Sequence, residues 1–334
     1  MRILRLSQFG SFGGAIRFFT ILLVGFVSSA LPIGCSSKEK ATQDESRRAL
    51  VLMTDFGIRD GAVSAMKGVA FSTAPGVLVS DLTHEIPSFS IWDAAYRLHQ
   101  TFKYWPAGTV FVAVVDPGVG SERKSLALVT KTGHIFVGPD NGLFTLVADS
   151  AGVASVYQIE EAKQRLKGSE ESYTFHGRDL YVYVGSRLAQ GAIQLSELGP
   201  AIASIERLSY QKATFDEASA ELVGNIPVLD PQYGNVWTNI PKSLFQTKLL
   251  VGPKVQYRVR ISKRDTKGQA KTLFNQILPL GETFSAVPVG RPLLYFNSLL
   301  NVSLALNQAD FAKKFGIQSG PDWLISISPH RISR

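Results

Sequence analysis

The sequence predicts an N-terminal Rossmann-like α/β domain followed by a smaller, β-barrel-like C-terminal domain. Three observations carry that expectation. Residues 49–53 and 110–115 are short apolar runs rich in branched side chains, stopped by Thr54-Asp55-Phe56-Gly57 and by Asp116-Pro117-Gly118, as buried strands of a parallel sheet are. Between them, residues 61–73 and 92–102 carry apolar side chains at helical spacing, which gives a strand, helix, strand alternation. Far downstream, Val255, Tyr257, Val259 and Ile261 alternate with Gln256, Arg258 and Arg260, the period of half-exposed strands in a small barrel or sandwich.

Along the chain, the first 35 residues stand apart. Arg2, Arg5 and Arg17 precede an apolar stretch over 18–31 that ends at Pro32-Ile33-Gly34-Cys35-Ser36-Ser37. A basic start, a short apolar middle and a small residue before the break describe a signal peptide, and the span is shorter than the roughly 20 residues of a membrane-crossing helix. Cys35 is the only cysteine, so it makes no internal disulfide. Gly-Cys here is similar to a bacterial lipoprotein processing site, and the expected location is the bacterial envelope, at the periplasm or cell surface, with a lipid anchor on Cys35. An uncleaved anchor is the alternative.

Residues 48–205 are then expected to form the α/β domain, with a last helix over 176–190. Polar residues 211–219 read as the linker, and residues 218–330 as the β domain. A chain of 334 residues, 45% hydrophobic, can bury a substantial core and suits two domains by length. Its net charge of +8 includes Arg2, Arg5 and Arg17, and no basic stripe is interleaved with aromatics, so nucleic-acid binding is excluded as a reading.

Three polar islands carry the chemistry. Asp116 and Arg123 stand seven residues apart in VVDPGVGSERK, and Thr174-Phe175-His176-Gly177-Arg178-Asp179 adds a histidine. A carboxylate accepts hydrogen bonds, a guanidinium stays cationic, and an imidazole donates or accepts near neutrality. Together Asp116, Arg123 and His176 could orient one water molecule and draw off part of its proton; as the plainer alternative, Asp-Pro-Gly-Val-Gly is good turn chemistry. Open α/β sheets bind ligands beyond the carboxyl ends of their strands, so Asp55 and Asp116 are expected to share a crevice. There Asp55 would accept from a ribose diol or cap the next helix. The third island, residues 229–240, mixes an acid, amides and aromatics suited to stacking on a flat base. A hairpin turn at Tyr-Gly-Asn and a core Trp237 are its alternatives. His84, His99, His134 and His330 lack metal-ligand spacing and read as structural; no metal is expected.

TDFG at 54–57, MKG at 66–68, VDPGVG at 115–120, GPDNG at 138–142, TFHGRD at 174–179 and YGNVWTNI at 233–240 together resemble, in order, the S-adenosylmethionine (SAM) hydroxide adenosyltransferases, or SAM hydrolases, which are related to the SAM-dependent fluorinases and chlorinases. The resemblance runs from about residue 50 to about residue 307. It implies attack of water at C5′ of the ribose of SAM, giving adenosine and methionine without any cofactor besides the substrate. It also implies a homotrimer with each site between two chains. Carried over by position, Asp116, Arg123 and His176 resemble the catalytic set, Asp55 the ribose-diol acceptor, Phe89 the aromatic wall beside the ribose, and Asp60 a position near the methionine end. Asp230 resembles the partner of the methionine ammonium, Tyr233 the ring on adenine, Asn235 the amide at the adenine edge, and Asn297-Ser298 a segment at the methionine carboxylate. Halogenating relatives carry Tyr in place of Asp116 and Tyr-Ser in place of His176-Gly177. A carboxylate repels a halide in a low-dielectric pocket, so Asp116 argues for water. The chain departs from the family pattern at Leu299-Leu300 and at Asn307-Gln308-Ala309. If Leu300 stands where positive φ is needed, the backbone is expected to differ there. A lipid-anchored protein that binds nucleoside or SAM without turnover is the alternative function.

Overall fold

The computed structural model describes residues 48–249, 251–252 and 255–331. Cys35 and the expected signal peptide lie outside the described residues. Among those described, no helix is long and apolar enough to cross a membrane.

The two apolar runs become the paired central strands of a sheet. In order come β1 (Leu50–Thr54), α1 (Ala62–Thr73), β2 (Val79–Thr83), α2 (Ile91–Thr101), β3 (Val110–Val114), β4 (Ser125–Thr130), β5 (Ile135–Pro139), α3 (Thr145–Ala151), β6 (Val153–Gln158), α4 (Glu161–Gln164) and α5 (Val182–Gln190). The sheet order is β2-β1-β3-β5-β4-β6. β1, β2, β3 and β5 run parallel, while β4 pairs antiparallel with both β5 and β6.

Both faces of this sheet are covered, which is why β1 as far as Met53 and all of β3 are apolar. On one face Leu50, Leu52, Val110 and Val112 pack with Met66 of α1 and Val184 and Leu188 of α5. On the other, Val51, Met53, Phe111 and Ala113 pack with Ala94 and Leu98 of α2 and Val147 of α3. Chain order explains the placement of the loops. From β1 the chain crosses to β2 on one side and then returns past β1 to β3 on the other, so the carboxyl ends of β1 and β3 flank a topological switch point. Asp55 directly follows β1, and Asp116 stands two residues beyond β3. The expected helix over 176–190 is a π-helical turn, Gly177–Tyr181, running into α5; such turns recur at functional sites.

The C-terminal half contains β7 (Thr214–Asp216), β8 (Glu221–Ile226), β9 (Val228–Leu229), β10 (Val236–Pro241), α6 (Lys242–Lys248), β11 (Val255–Arg264), β12 (Ala270–Pro279), β13 (Pro292–Phe296), β14 (Asn301–Leu306), α7 (Phe311–Phe315) and β15 (Gly320–Arg331). The barrel-like expectation gives way to two open sheets, β13-β14-β10-β9 and β12-β11-β15-β8-β7. They share one core, in which Leu222, Tyr257, Val259 and Ile325 of one meet Val236, Leu294, Val302 and Leu304 of the other. One parallel bridge, Leu280 to Leu294, links an edge of each. At the opposite edges β7 and β9 are three and two residues long, too short to close the ring. The expected linker over 211–219 is partly strand, because β7 pairs with β8.

α2 fastens the two halves together. Trp92 Nε1 donates to Pro227 O at 3.0 Å and Arg97 Nη2 to Leu229 O at 2.8 Å. Between these, Tyr96 and Leu146 pack against Val228 and Trp237, so Trp237 is a core residue.

Candidate active site

The loop after β3 turns back at Gly118 and Gly120 and returns Arg123 to Asp116. Arg123 Nε donates to Asp116 Oδ1 at 2.9 Å and Oδ2 at 3.0 Å, and Nη2 donates to Oδ2 at 2.5 Å. The two side chains are only 5% and 11% exposed, so this is a fork-on-carboxylate pair removed from water. Burial works against the guanidinium's charge, but the hydrogen bond and charge of Asp116 outweigh it and raise the Arg123 pKa. Arg123 Nη1 also donates to Ser125 Oγ at 3.0 Å.

A residue unremarked in the sequence completes the set. Glu161, at the start of α4, lies 3.5 Å from Arg123 Nη1 through Oε1 and 3.0 Å from His176 Nε2 through Oε2. Ser125 Oγ donates to the same Oε1 at 2.5 Å and meets Tyr181 Oη at 2.9 Å. Burial pushes the Glu161 carboxyl up, yet the hydrogen bonds from His176 and Ser125 and the neighbouring charges prevail and bring it down to about 2. The Tyr181 phenol, fully buried, is pushed up by desolvation. The sole sequence signal for Glu161 was its place just past β6, the strand that pairs with β4, next to Ser125; no spacing rule points to it.

Asp116 and His176 share a cavity of about 250 Å³ with Asp55, Phe56, Phe89, Val119, Phe175 and Gly177. His176 is 2% exposed, and its Nδ1 has no hydrogen-bond partner among the described residues. Arg123 stands behind Asp116 and does not line the cavity. Asp55 does not cap α1. It accepts from the backbone N of Phe89 at 2.8 Å, which fixes Phe89 in a left-handed conformation at φ 68° with the residue 72% exposed. Asp60 accepts from Ala62 N at 2.9 Å and lines an adjoining cleft with Phe56, Thr174 and Phe175.

The GPDNG segment holds the Asp116 loop from behind. Asn141 Nδ2 donates to Val115 O at 2.9 Å, and Asp140 N donates to Lys124 O at 2.9 Å. Both ends of the excursion that presents Asp116 and Arg123 are therefore anchored to one turn.

Tyr233 and Asn235 lie elsewhere. With Gln232, Phe284, Gln308 and Asp310 they line a second cavity of about 490 Å³ that shares no residue with the first. The turn reading holds there. Asp230 N donates to Asn235 O and Gly234 N to Asp230 O, each at 2.9 Å, closing β9 onto β10, while Asn235 Nδ2 donates to Asp230 Oδ2 at 3.0 Å. Gly234 sits at φ 65°, and a Cβ there would come within 1.9 Å of Asp310 Oδ1, so only glycine fits.

Ser298 is exposed and lines neither cavity. Its neighbour Asn297 is buried and uses Oδ1 to accept from Leu299 N at 2.9 Å and Asn301 N at 3.1 Å. The expectation of an altered backbone at Leu300 fails: the residue adopts φ 58° and bears the strain. The Asn297 bonds and the 2.9 Å bond from Leu300 N to Asn297 O impose that conformation. Leu300 is 59% exposed and loses little packing when truncated, so Leu300→Gly raises stability by about 1 kcal/mol, measured as a higher midpoint in urea.

Comparison with known proteins finds similarity along most of the chain. Residues 50–199 match the model of the SAM hydroxide adenosyltransferase N-terminal domain, and residues 224–324 that of the C-terminal domain. The chain is 42% identical over 150 residues to the (R)-S-adenosyl-L-methionine hydrolase of Methanocaldococcus jannaschii, a match spanning 44% of this chain and 55% of that protein. It is 30% identical over 278 residues to the enzyme of the same name from Thermus thermophilus, covering 82% of this chain and 97% of that one. A fluorinase from an Actinoplanes species is 27% identical over 295 residues, covering 81% and 95%. Among solved structures, an uncharacterised conserved protein from Thermotoga maritima superposes with a TM-score of 0.74 at 31% identity, over 84% of this chain and 99% of that one.

Proposed function

From the premise that this chain belongs to the SAM hydroxide adenosyltransferase family, we propose that it is a SAM hydrolase, splitting the carbon–sulfur bond at ribose C5′ with water to give adenosine and L-methionine. The observation that carries the reading is the cavity in which Asp116, backed by Arg123, and His176 stand together with Asp55. The sulfonium leaves as a neutral thioether, so the leaving group needs no acid. What the reaction does need is an oriented water in a dry place, held within roughly 3 to 3.5 Å of the carbon. Asp116 accepts a hydrogen bond from that water, Arg123 holds Asp116 still, and Asp55 accepts from the ribose diol. No metal or further cofactor enters this chemistry, and EDTA is expected to leave the rate unchanged. Binding without turnover gains no support from the relatives, which are named as enzymes. The names of the hydrolases specify the (R) sulfonium, so both epimers belong in the assay. Equimolar adenosine and methionine are expected from wild type and not from His176→Ala; no adenosine above that control defeats the proposal.

A neighbouring copy is proposed to complete the site in a homotrimer. The first cavity, about 250 Å³, is smaller than the roughly 300 to 1,000 Å³ usual for ligand pockets. Tyr233 belongs to a separate cavity and is 67% exposed, ready to close over another chain's ribose pocket. Asp60, Asp230 and Ser298 are assigned to the methionine end on the family resemblance. Mixing inactive Asp116→Ala with inactive Tyr233→Ala then restores activity: with shared sites and random assembly about a quarter of the sites pair two intact halves. Sites contained within one chain give no recovery. Export and lipid attachment at Cys35 are proposed from the sequence, and labelled palmitate that enters wild type but not Cys35→Ser tests them.

A further inference from the structure

We propose that Glu161 is a positioning residue that fixes the His176 imidazole as its Nε2–H tautomer and so makes Nδ1 the nitrogen that receives the proton of the attacking water. This rests on the hydrolase reading above and adds a residue and a direction of proton transfer to it. An ionised carboxylate only accepts hydrogen bonds, so the 3.0 Å contact between His176 Nε2 and Glu161 Oε2 requires the proton to sit on Nε2. Glu161 is held ionised by its own surroundings, since Ser125 Oγ donates to it and Arg123 Nη1 lies 3.5 Å away. The other ring nitrogen, Nδ1, is buried and lacks a partner among the described residues, although the ring forms part of the cavity wall. A buried acceptor without a donor is costly unless a ligand or water supplies one.

The division of labour follows from the bonds already made. Both Asp116 oxygens accept from Arg123, which suits Asp116 to orienting the water. His176 has an uncommitted lone pair and an anion behind its far nitrogen, the arrangement by which a carboxylate steadies a histidine base. In the step, a water O–H bond breaks and its proton passes to Nδ1. The oxygen forms the bond to C5′, the C5′–S pair departs with sulfur, and the imidazolium is stabilised by Glu161.

The test uses the full-length protein with 15N-labelled imidazoles, without substrate. His176, assigned by its loss in His176→Ala, is expected to be protonated on Nε2 and bare on Nδ1. Glu161→Gln, whose amide can also donate, should give mixed tautomers. It should also lower kcat on the order of 10²-fold, with KM for SAM held within about threefold, since no substrate contact is lost. Glu161→Asp, which keeps the charge, should recover part of kcat. Protonation on Nδ1 in wild type overturns the proposal. So does a Gln variant whose tautomer is unmoved, whether or not kcat falls, because the role would then be structural support of Arg123. If wild type makes no adenosine the hydrolase reading fails, and the tautomer spectrum still answers separately for Glu161.

Discussion

Asp116→Ala is expected to lower SAM turnover on the order of 10³-fold or more and to cost about 3 kcal/mol of stability. The two losses have one cause. Among the described residues Asp116 is the only carboxylate in direct fork contact with Arg123, and that side chain is 11% exposed. Without Asp116 the charge stays buried against Glu161 at 3.5 Å and the Ser125 hydroxyl, which compensate in part. Asp116→Asn separates the effects: its amide oxygen still accepts from Arg123, so most of the stability returns, while the anion that orients water is gone and turnover stays low. Urea unfolding and a chromatographic adenosine assay on both variants check this. If Asp116→Asn turns over at near wild-type rate, the carboxylate has no role in activating water.

Gly138→Ala should be the most damaging single methyl group in the N-terminal half. An added Cβ would stand 2.2 Å from Ala113 O and 3.1 Å from Phe144 Cζ. The first contact is backbone in the middle of the sheet, where a side-chain rotation gives no relief, so β3 and β5 must separate. We expect a cost of about 3 kcal/mol and a fall in Tm of roughly 6 to 10 °C. Ala113 lies three residues before Asp116 on the strand that aims it, so kcat should fall along with stability. A Tm within 2 °C of wild type, on the order of 0.5 to 1 kcal/mol, would mean the sheet yields far more easily than its packing implies.

The sequence made the N-terminal half legible because both central strands are buried on two faces and therefore continuously apolar, and because turn residues stop them at Asp55 and Asp116. Asp116, Arg123 and His176 were picked out by their chemistry; Asp116 and His176 line one cavity, and Arg123 is bonded to Asp116 behind it. Glu161 was not, because it reaches the site through strand pairing across the sheet and nothing local marks it. GPDNG was visible as a motif, but its work, Asn141 holding the Val115 carbonyl, depends on a contact 26 residues away. In the C-terminal half, alternation identified strands without saying how their edges meet, and the barrel expectation failed on the short β7 and β9. Leu300 shows the limit of propensity. Three hydrogen bonds to Asn297, two to its side-chain oxygen and one to its carbonyl, outweigh the cost of a Cβ at positive φ.

The central claim is that water, placed by Asp116 and relieved of its proton at His176, displaces methionine from C5′. Turnover of SAM in water enriched in 18O, followed by mass spectrometry of the nucleoside, tests it most directly. The account predicts adenosine carrying the heavy oxygen at its 5′ position in proportion to the enrichment, with none formed by His176→Ala. Adenosine with an unlabelled 5′ oxygen, or SAM recovered intact, would contradict it.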